Sequence, residues 1–348
     1  METATTEGRP PTRNLATDRA DAPSAAGRLV SVLPGLVAAL VVAGLGMADG
    51  GYFATAWGPV TLVFLAASAT ALVVQPRPSI GLRSLAPSAL LALLALWGLV
   101  SAAWGSPSEA VPEAERTLVY ASAALALGLV LRRGGTNGVL IGLWAGITTV
   151  SLYAVATRLF PEQLGVFDPI AGYRLSEPVG YWNALGLMAS LGTILAFGLA
   201  SRTEHLLVRL CAGASVVPLA LTCYFTFSRG AWLALAAGLL VAFVLDPRRL
   251  QLALIVAVVA PWPALAVLVA SRSGPLTESG GHTLAAAAED GRALVAVGVG
   301  LALFAAGAVA VLAALEPRVR VAPVAHRMGS AALVAGVVGL VIGAVLVL

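Results

Sequence analysis

Five polar side chains stand where this apolar chain could do chemistry: Arg174, Asn183, Ser228, Arg229 and His282. The first two lie in the run Tyr173-Arg174-Leu175-Ser176-Glu177-Pro178-Val179-Gly180-Tyr181-Trp182-Asn183-Ala184-Leu185-Gly186, which reads as a loop entering a helix. The next two lie in Phe225-Thr226-Phe227-Ser228-Arg229-Gly230-Ala231-Trp232, where an arginine flanked by small residues breaks two apolar runs. A guanidinium presents a planar fork that matches phosphate oxygens. A charge at the hydrocarbon boundary costs free energy unless paired or hydrated, so such a group is a functional hypothesis by default. A phosphate clamp and a snorkelling anchor at the lipid headgroups both account for Arg229. Arg174 alone reads as a solvated loop arginine, and gains weight from sharing a face with Arg229. The Asn183 amide suits either a helix cap or a sugar hydroxyl, and capping is favoured on position alone. His282, in Ser279-Gly280-Gly281-His282-Thr283, has the chemistry of a general base on a sugar hydroxyl. A loop histidine without a role is the plainer reading. Glu177, Glu278, Glu289 and Asp290 are alternative carboxylates for that job, and Glu109, Glu113 and Glu115 read as a solvated acidic loop.

The elements that must position these residues are membrane helices. The chain has 348 residues, of which 59% are hydrophobic and 11% charged. A soluble domain carries about 25% charged residues, so lipid is the solvent for most of this chain. Spans of about 20 apolar residues can cross a bilayer. Candidates are residues 29–47, 52–74, 87–104, 117–131, 138–156, 181–200, 207–227, 231–245, 250–270, 293–315 and 330–348. The expected fold is therefore an all-α polytopic transmembrane bundle of about eleven helices, over residues 29–348, behind a polar, disordered, cytoplasmic tail of residues 1–28. Residues 29–47 are long enough to span and read as the first membrane helix, not a cleaved leader.

Charge gives an independent orientation. With the amino terminus in the cytoplasm, fifteen of the 21 basic residues, all arginine, fall on the inner side. They are Arg9, Arg13, Arg19, Arg28, Arg77, Arg83, Arg132, Arg133, Arg202, Arg209, Arg248, Arg249, Arg318, Arg320 and Arg327. Arg116, Arg158, Arg174, Arg229, Arg272 and Arg292 fall outside, which is the positive-inside bias. A plain anchor at Arg229 belongs on the other face, which tips that residue towards the clamp. The expected location is the cytoplasmic membrane. The arginines are scattered one or two at a time with no basic, aromatic-interleaved stripe, which argues against nucleic acid as a partner. Cys211 and Cys223 are about 18 Å apart along one helix, too far for a disulfide. The sequence holds no metal cluster, nucleotide loop or Ser-His-Asp set, so no cofactor is expected. Energy for chemistry must come from an ion gradient or an activated lipid-linked donor.

The stretch from Arg174 through Gly180 to Asn183-Ala184-Leu185-Gly186, followed by Thr226-Phe227-Ser228-Arg229-Gly230-Ala231, resembles the O-antigen ligase and O-antigen polymerase family, most closely its actinobacterial branch. The specific motifs cover about sixty residues, and the helical layout of residues 29–348 fits around them. The resemblance implies a metal-independent glycosyltransferase that takes a glycan from an undecaprenyl diphosphate carrier outside the cytoplasmic membrane and passes it to a glycan or lipid acceptor. It implies that Arg174 and Arg229 hold the donor's diphosphate; Asn183 and Ser228, in the same two motifs, are candidate substrate-binding residues, and His282 is the candidate catalytic residue on its own chemistry and not by the resemblance. Family members usually carry a large outer region towards the carboxyl end with their catalytic histidine. This sequence stops at Leu348 in an apolar run, so His282 has no residue-by-residue match and a truncated or non-catalytic relative is a further expectation. A transporter or flippase of a polar or lipid-linked solute is the rival class. The mid-helix positions lack Asp, Glu, Arg and His, which disfavours ion coupling.

Overall fold

The computed structural model describes residues 25–73, 82–131, 135–165, 173–278 and 282–316. The expected span at 330–348 and nearly all of the expected tail lie outside these residues, as do Arg9, Arg13, Arg19, Arg77, Arg132, Arg133, Arg318, Arg320 and Arg327.

Among the described residues all the regular secondary structure is helical, with no strand. The helices are α1 (Ala25–Gly46), α2 (Ala54–Val73), α3 (Leu82–Ser101), α4 (Pro107–Leu131), α5 (Thr136–Leu159) and α6 (Trp182–Arg202). They continue with α7 (Leu206–Phe225), α8 (Arg229–Leu245), α9 (Arg249–Val259), α10 (Pro261–Ala270), the single turn α11 (Gly274–Thr277) and α12 (Leu284–Leu315). Among the described residues six segments are long and apolar enough to cross a bilayer, with α9 and α10 counted together, and three further apolar helices are shorter. Leu62, Leu65, Leu90, Leu93, Trp97, Leu303 and Phe304 are exposed on the outer surface. Water does not tolerate an apolar surface of that extent, whereas hydrocarbon does, so the fold is a helical membrane bundle.

Several boundaries differ from the sequence expectation, among them the start of α12, at Leu284 against an expected 293, where Thr283 caps the helix. Residues 105–116 are expected as an acidic loop, but α4 begins at Pro107 and carries Glu109, Glu113 and Arg116 on helical turns. Proline at a helix start loses no hydrogen bond, an acidic first turn suits the helix dipole, and Arg116 pairs with Glu113 at 2.8 Å. The expected span 250–270 is broken between Val259 and Pro261, because proline offers no N–H to continue the ladder.

A central group of α5, α6, α7, α9, α10 and α12 surrounds two apolar clusters, with α8 packed against α6 and α1 against α5. The α1–α5 crossing is the tightest. Gly138, Gly142 and Gly146 repeat every fourth residue on α5 and meet α1, and a Cβ at Gly142 would sit 2.0 Å from the Gly35 carbonyl oxygen. Small residues at this spacing let helix backbones touch, which is how helices associate in lipid.

Arginines gather at both ends of the bundle, and ion pairs form at each. At one end the buried Arg209 forks the Glu316 carboxylate, both contacts at 2.8 Å, and donates from Nε to the Ala200 carbonyl at 2.9 Å. The Arg209 hydrogen bonds hold the Glu316 carboxyl below its ordinary range, and Gln251 adds a third donor at 2.6 Å. Arg202 pairs with Asp246 beside it. At the other end lie Arg116, Arg158, Arg174, Arg229, Arg272 and Arg292, so the described members of the two arginine groups are segregated as the alternation requires.

Because a leucine at residue 142 must force two backbones apart, Gly142→Leu is expected to lower unfolding stability in detergent by roughly 1–3 kcal/mol or more. A thermal melt matching that of the parent chain would contradict the close crossing.

Candidate functional site

The site is built where α6 begins and α7 gives way to α8. The chain from Tyr173 to Gly180 lies across this end of the bundle, anchored by two apolar side chains, Leu175 and Val179, which are buried in the same cluster as Phe225 and Leu276. The Leu175 amide donates to the Phe225 carbonyl at 2.9 Å. The Tyr173 ring packs edge-on against Phe227, with centroids 4.9 Å apart. These two contacts join the motif around Arg174 to the motif around Arg229. Gly180 has φ +78°, a left-handed conformation that costs glycine nothing, and it turns the chain into α6.

A second set of contacts seats α6 on the α7–α8 turn. A Cβ on Gly186 would lie 2.8 Å from the Ala231 Cβ and 2.9 Å from the Thr226 Oγ1. No larger residue fits there without moving the turn. Four residues on, the Ser190 hydroxyl is 2.9 Å from both the Gly186 and the Ala231 carbonyl oxygens, so it ties the start of α8 to α6. Phe227 adopts φ +49°, which is strained for a residue with a side chain. The strain lets α7 end and α8 start within three residues.

Each expected site residue can now be placed. Arg174 is exposed, with its guanidinium over the Trp182 ring at 5.0 Å from the centroid. Arg229 is exposed at the first position of α8, and among the described residues nothing pairs with its guanidinium. A cation at a helix N-terminus faces the positive end of the dipole, which is unfavourable by itself. The same amides and charge together suit an anion. The Tyr173–Phe227 contact and the approach at Gly186 bring the starts of α6 and α8, and the segments that carry Arg174 and Arg229, to one corner.

Ser228 is buried, and its Oγ accepts from the Ala231 amide at 3.2 Å, so it serves as the N-cap of α8. Asn183 does not cap α6. Tyr181 holds the cap position with no side-chain bond, and Asn183 instead donates from Nδ2 to the Tyr181 hydroxyl at 2.6 Å. That bond orients the Tyr181 ring at the mouth of the corner. His282 is exposed, with Nε2 3.5 Å from the Glu278 carboxylate and its ring near Gly274. Its described contacts are with the α11 region and do not reach Arg174 or Arg229.

Arg158, on the last turn of α5, belongs to the site although sequence reasoning left it as one more outer arginine. It donates to the Tyr173 carbonyl and, at 3.5 Å, to the Leu276 carbonyl, and it lies over the Phe225 ring at 5.6 Å. It therefore braces the loop that carries Arg174 from beneath. Its partners lie 15 and 118 residues away, and no spacing rule could have found the second. The turn between α1 and α2 supports the loop from the side, with Gly50 close enough that a Cβ would stand 3.0 Å from the Val179 carbonyl oxygen.

Among the described residues no group of three or more His, Cys, Asp or Glu side chains is placed to hold a metal. Comparison of the chain with family models, with curated proteins and with solved structures finds no match.

The cap assigned to Ser228 has a measurable consequence. Ser228→Ala is expected to lower stability by about 1 kcal/mol, and Ser228→Asp to retain most of it. A thermal melt in which the alanine variant equals the parent would show that the hydroxyl is free for another use.

Proposed function

We propose that this chain is a membrane glycosyltransferase of the O-antigen ligase type, transferring or polymerising a glycan carried on undecaprenyl diphosphate in the assembly of cell-envelope polysaccharide. The observation that carries the reading is the convergence of Arg174 and Arg229 on one corner of the bundle, with neither guanidinium neutralised by a carboxylate among the described residues. Other arginines supply the contrast: Arg209 and Arg202 at the opposite end, and Arg116 and Arg292 at this one, each have an acidic partner. Exposed cations left unpaired beside two helix N-termini fit an anion brought from outside, and a diphosphate offers oxygens to both forks.

In this reading the corner faces the extracytoplasmic side, with the amino terminus in the cytoplasm. An acceptor hydroxyl attacks the anomeric carbon of the donor sugar, and the bond from that carbon to the diphosphate oxygen breaks. Negative charge grows on the departing diphosphate, and fixed guanidinium charge stabilises it more in the transition state than in the ground state. The acceptor proton passes to a base on the same end of the bundle, a role the reading gives to His282 with Glu278 beside it. Asn183 and Tyr181, bonded to each other, offer polar edges to the sugar.

Arg174→Ala and Arg229→Ala are each expected to weaken binding of a prenyl diphosphate by about tenfold to a hundredfold, the worth of a charge-assisted hydrogen bond. Each should also deplete surface glycan in cells that depend on the variant chain. Lysine at either position should recover part of the binding, as a charge without the fork. Unchanged binding and unchanged glycan in both alanine variants would remove the proposal.

A further inference from the structure

The turn between α1 and α2 carries an exposed acid, Asp49. Asp49, Gly50 and Gly51 are all left-handed, with φ of +50°, +65° and +74°. The two glycines adopt that conformation without strain, whereas Asp49 has a Cβ and is strained there. Aspartate visits this region when its short side chain bonds to nearby backbone. Among the described residues the Asp49 carboxylate makes no such bond and no ion pair. Arg116 reaches the same turn at the Tyr52 carbonyl, at 3.5 Å, but its charge is met by Glu113. Strain with no local return points to a use for the side chain.

Its position says what that use is. A Cβ on Gly180 would lie 3.9 Å from both the Asp49 Cβ and its Oδ1, so the acid stands against the turn into α6. Gly180 leads to Tyr181, 50% exposed, whose hydroxyl is bonded to Asn183, and then to Trp182, which carries Arg174 over its ring. The corner therefore has a cationic side, from Arg174 and Arg229, and an edge where an unpaired carboxylate stands beside a phenol and an amide. A carboxylate near the start of α6 also suits the helix dipole, and Tyr181 caps that helix with no side-chain bond. A role of that kind alone would act on folding and affect every ligand alike.

An ionised carboxylate only accepts hydrogen bonds. It repels phosphate, and its two oxygens match two adjacent hydroxyls of a sugar ring. We infer that Asp49 determines which sugar the site takes next to the diphosphate, holding a neutral hexose by its hydroxyls and turning away a sugar that bears a carboxylate. The inference rests on the diphosphate reading of Arg174 and Arg229, and adds to it the charge that the donor's first sugar can carry. Like charges brought together at the edge of a bilayer repel more strongly than in bulk water, so rejection of an acidic sugar needs no steric clash. The same separation of charge orients the donor, with phosphates at the arginines and hydroxyls at Asp49.

The test measures ligand binding by the whole chain in lipid nanodiscs, parent against Asp49→Asn. Asparagine tolerates the left-handed backbone as aspartate does, so the variant should fold. Asp49→Gly relaxes that backbone while removing the carboxylate, and serves as the second variant. The ligands are farnesyl diphosphate, and farnesyl diphosphate bearing glucose or glucuronic acid on its terminal phosphate. For the glucosyl lipid the ratio of variant to parent dissociation constants should be about tenfold, the loss of a charged hydrogen bond. For the glucuronosyl lipid the ratio should fall below one, and for farnesyl diphosphate itself it should not exceed one. A glucuronosyl ratio equal to or above the glucosyl ratio, or a parent chain that binds farnesyl diphosphate but not the glucosyl lipid, overturns the inference and leaves the arginine corner intact. Failure of the parent to bind farnesyl diphosphate overturns the reading of the corner, and this inference with it.

Discussion

The amide of Leu175 donating to the carbonyl of Phe225 is the contact on which the arrangement depends. It crosses fifty residues of sequence and joins a loop to the end of a helix inside an apolar cluster. The Phe225 residue is fully buried, so a carbonyl left unpaired there would carry the full cost of desolvation, about 1–3 kcal/mol. That cost fixes the loop's register. Once Leu175 is in place, Tyr173 lies against Phe227, Arg174 projects over Trp182, and Gly180 can turn the chain into α6. The glycine at 186 completes the fit, since α6 can approach the α7–α8 turn only where no side chain intervenes.

Charge placement then separates structure from function. A cation near hydrocarbon is stable when a carboxylate or a set of carbonyls answers it. Arg209 has Glu316 and a carbonyl, Arg202 has Asp246, and Arg158 has two carbonyls and a ring face. These three bind the bundle to itself. Arg174 has a ring face and exposure, while Arg229 stands at the positive end of a helix. An arrangement of that kind is unfavourable until an anion arrives, and it is what the glycan-transfer reading uses.

Much of the fold is written in hydropathy because lipid demands long apolar runs whose backbone bonds close within each segment. The expected spans inside the described residues fall on helices, the one at 250–270 on two, and the arginine groups fall at opposite ends. What hydropathy does not carry is local chemistry. The helical start at Pro107 was hidden by glutamates that read as loop, and the break at Pro261 by the apolar residues around it. The glycine repeat on α5 is visible in the sequence at positions 138, 142 and 146, but its partner on α1 is not. In the site, residue type pointed to Arg174 and Arg229 before any geometry. Arg158, the cap role of Ser228 and the Asn183–Tyr181 bond depend on which groups meet across the fold.

The proposed function requires that residues 173–174 and 227–229 form one corner and that this corner opens to the outside of the cell. Cysteines at Tyr173 and Phe227, in a chain whose Cys211 and Cys223 are replaced by alanine, test both parts together. A short bifunctional thiol reagent that cannot cross membranes should join the two positions in intact cells. Cross-linking seen only after the cells are permeabilised, or none under either condition, would contradict the account.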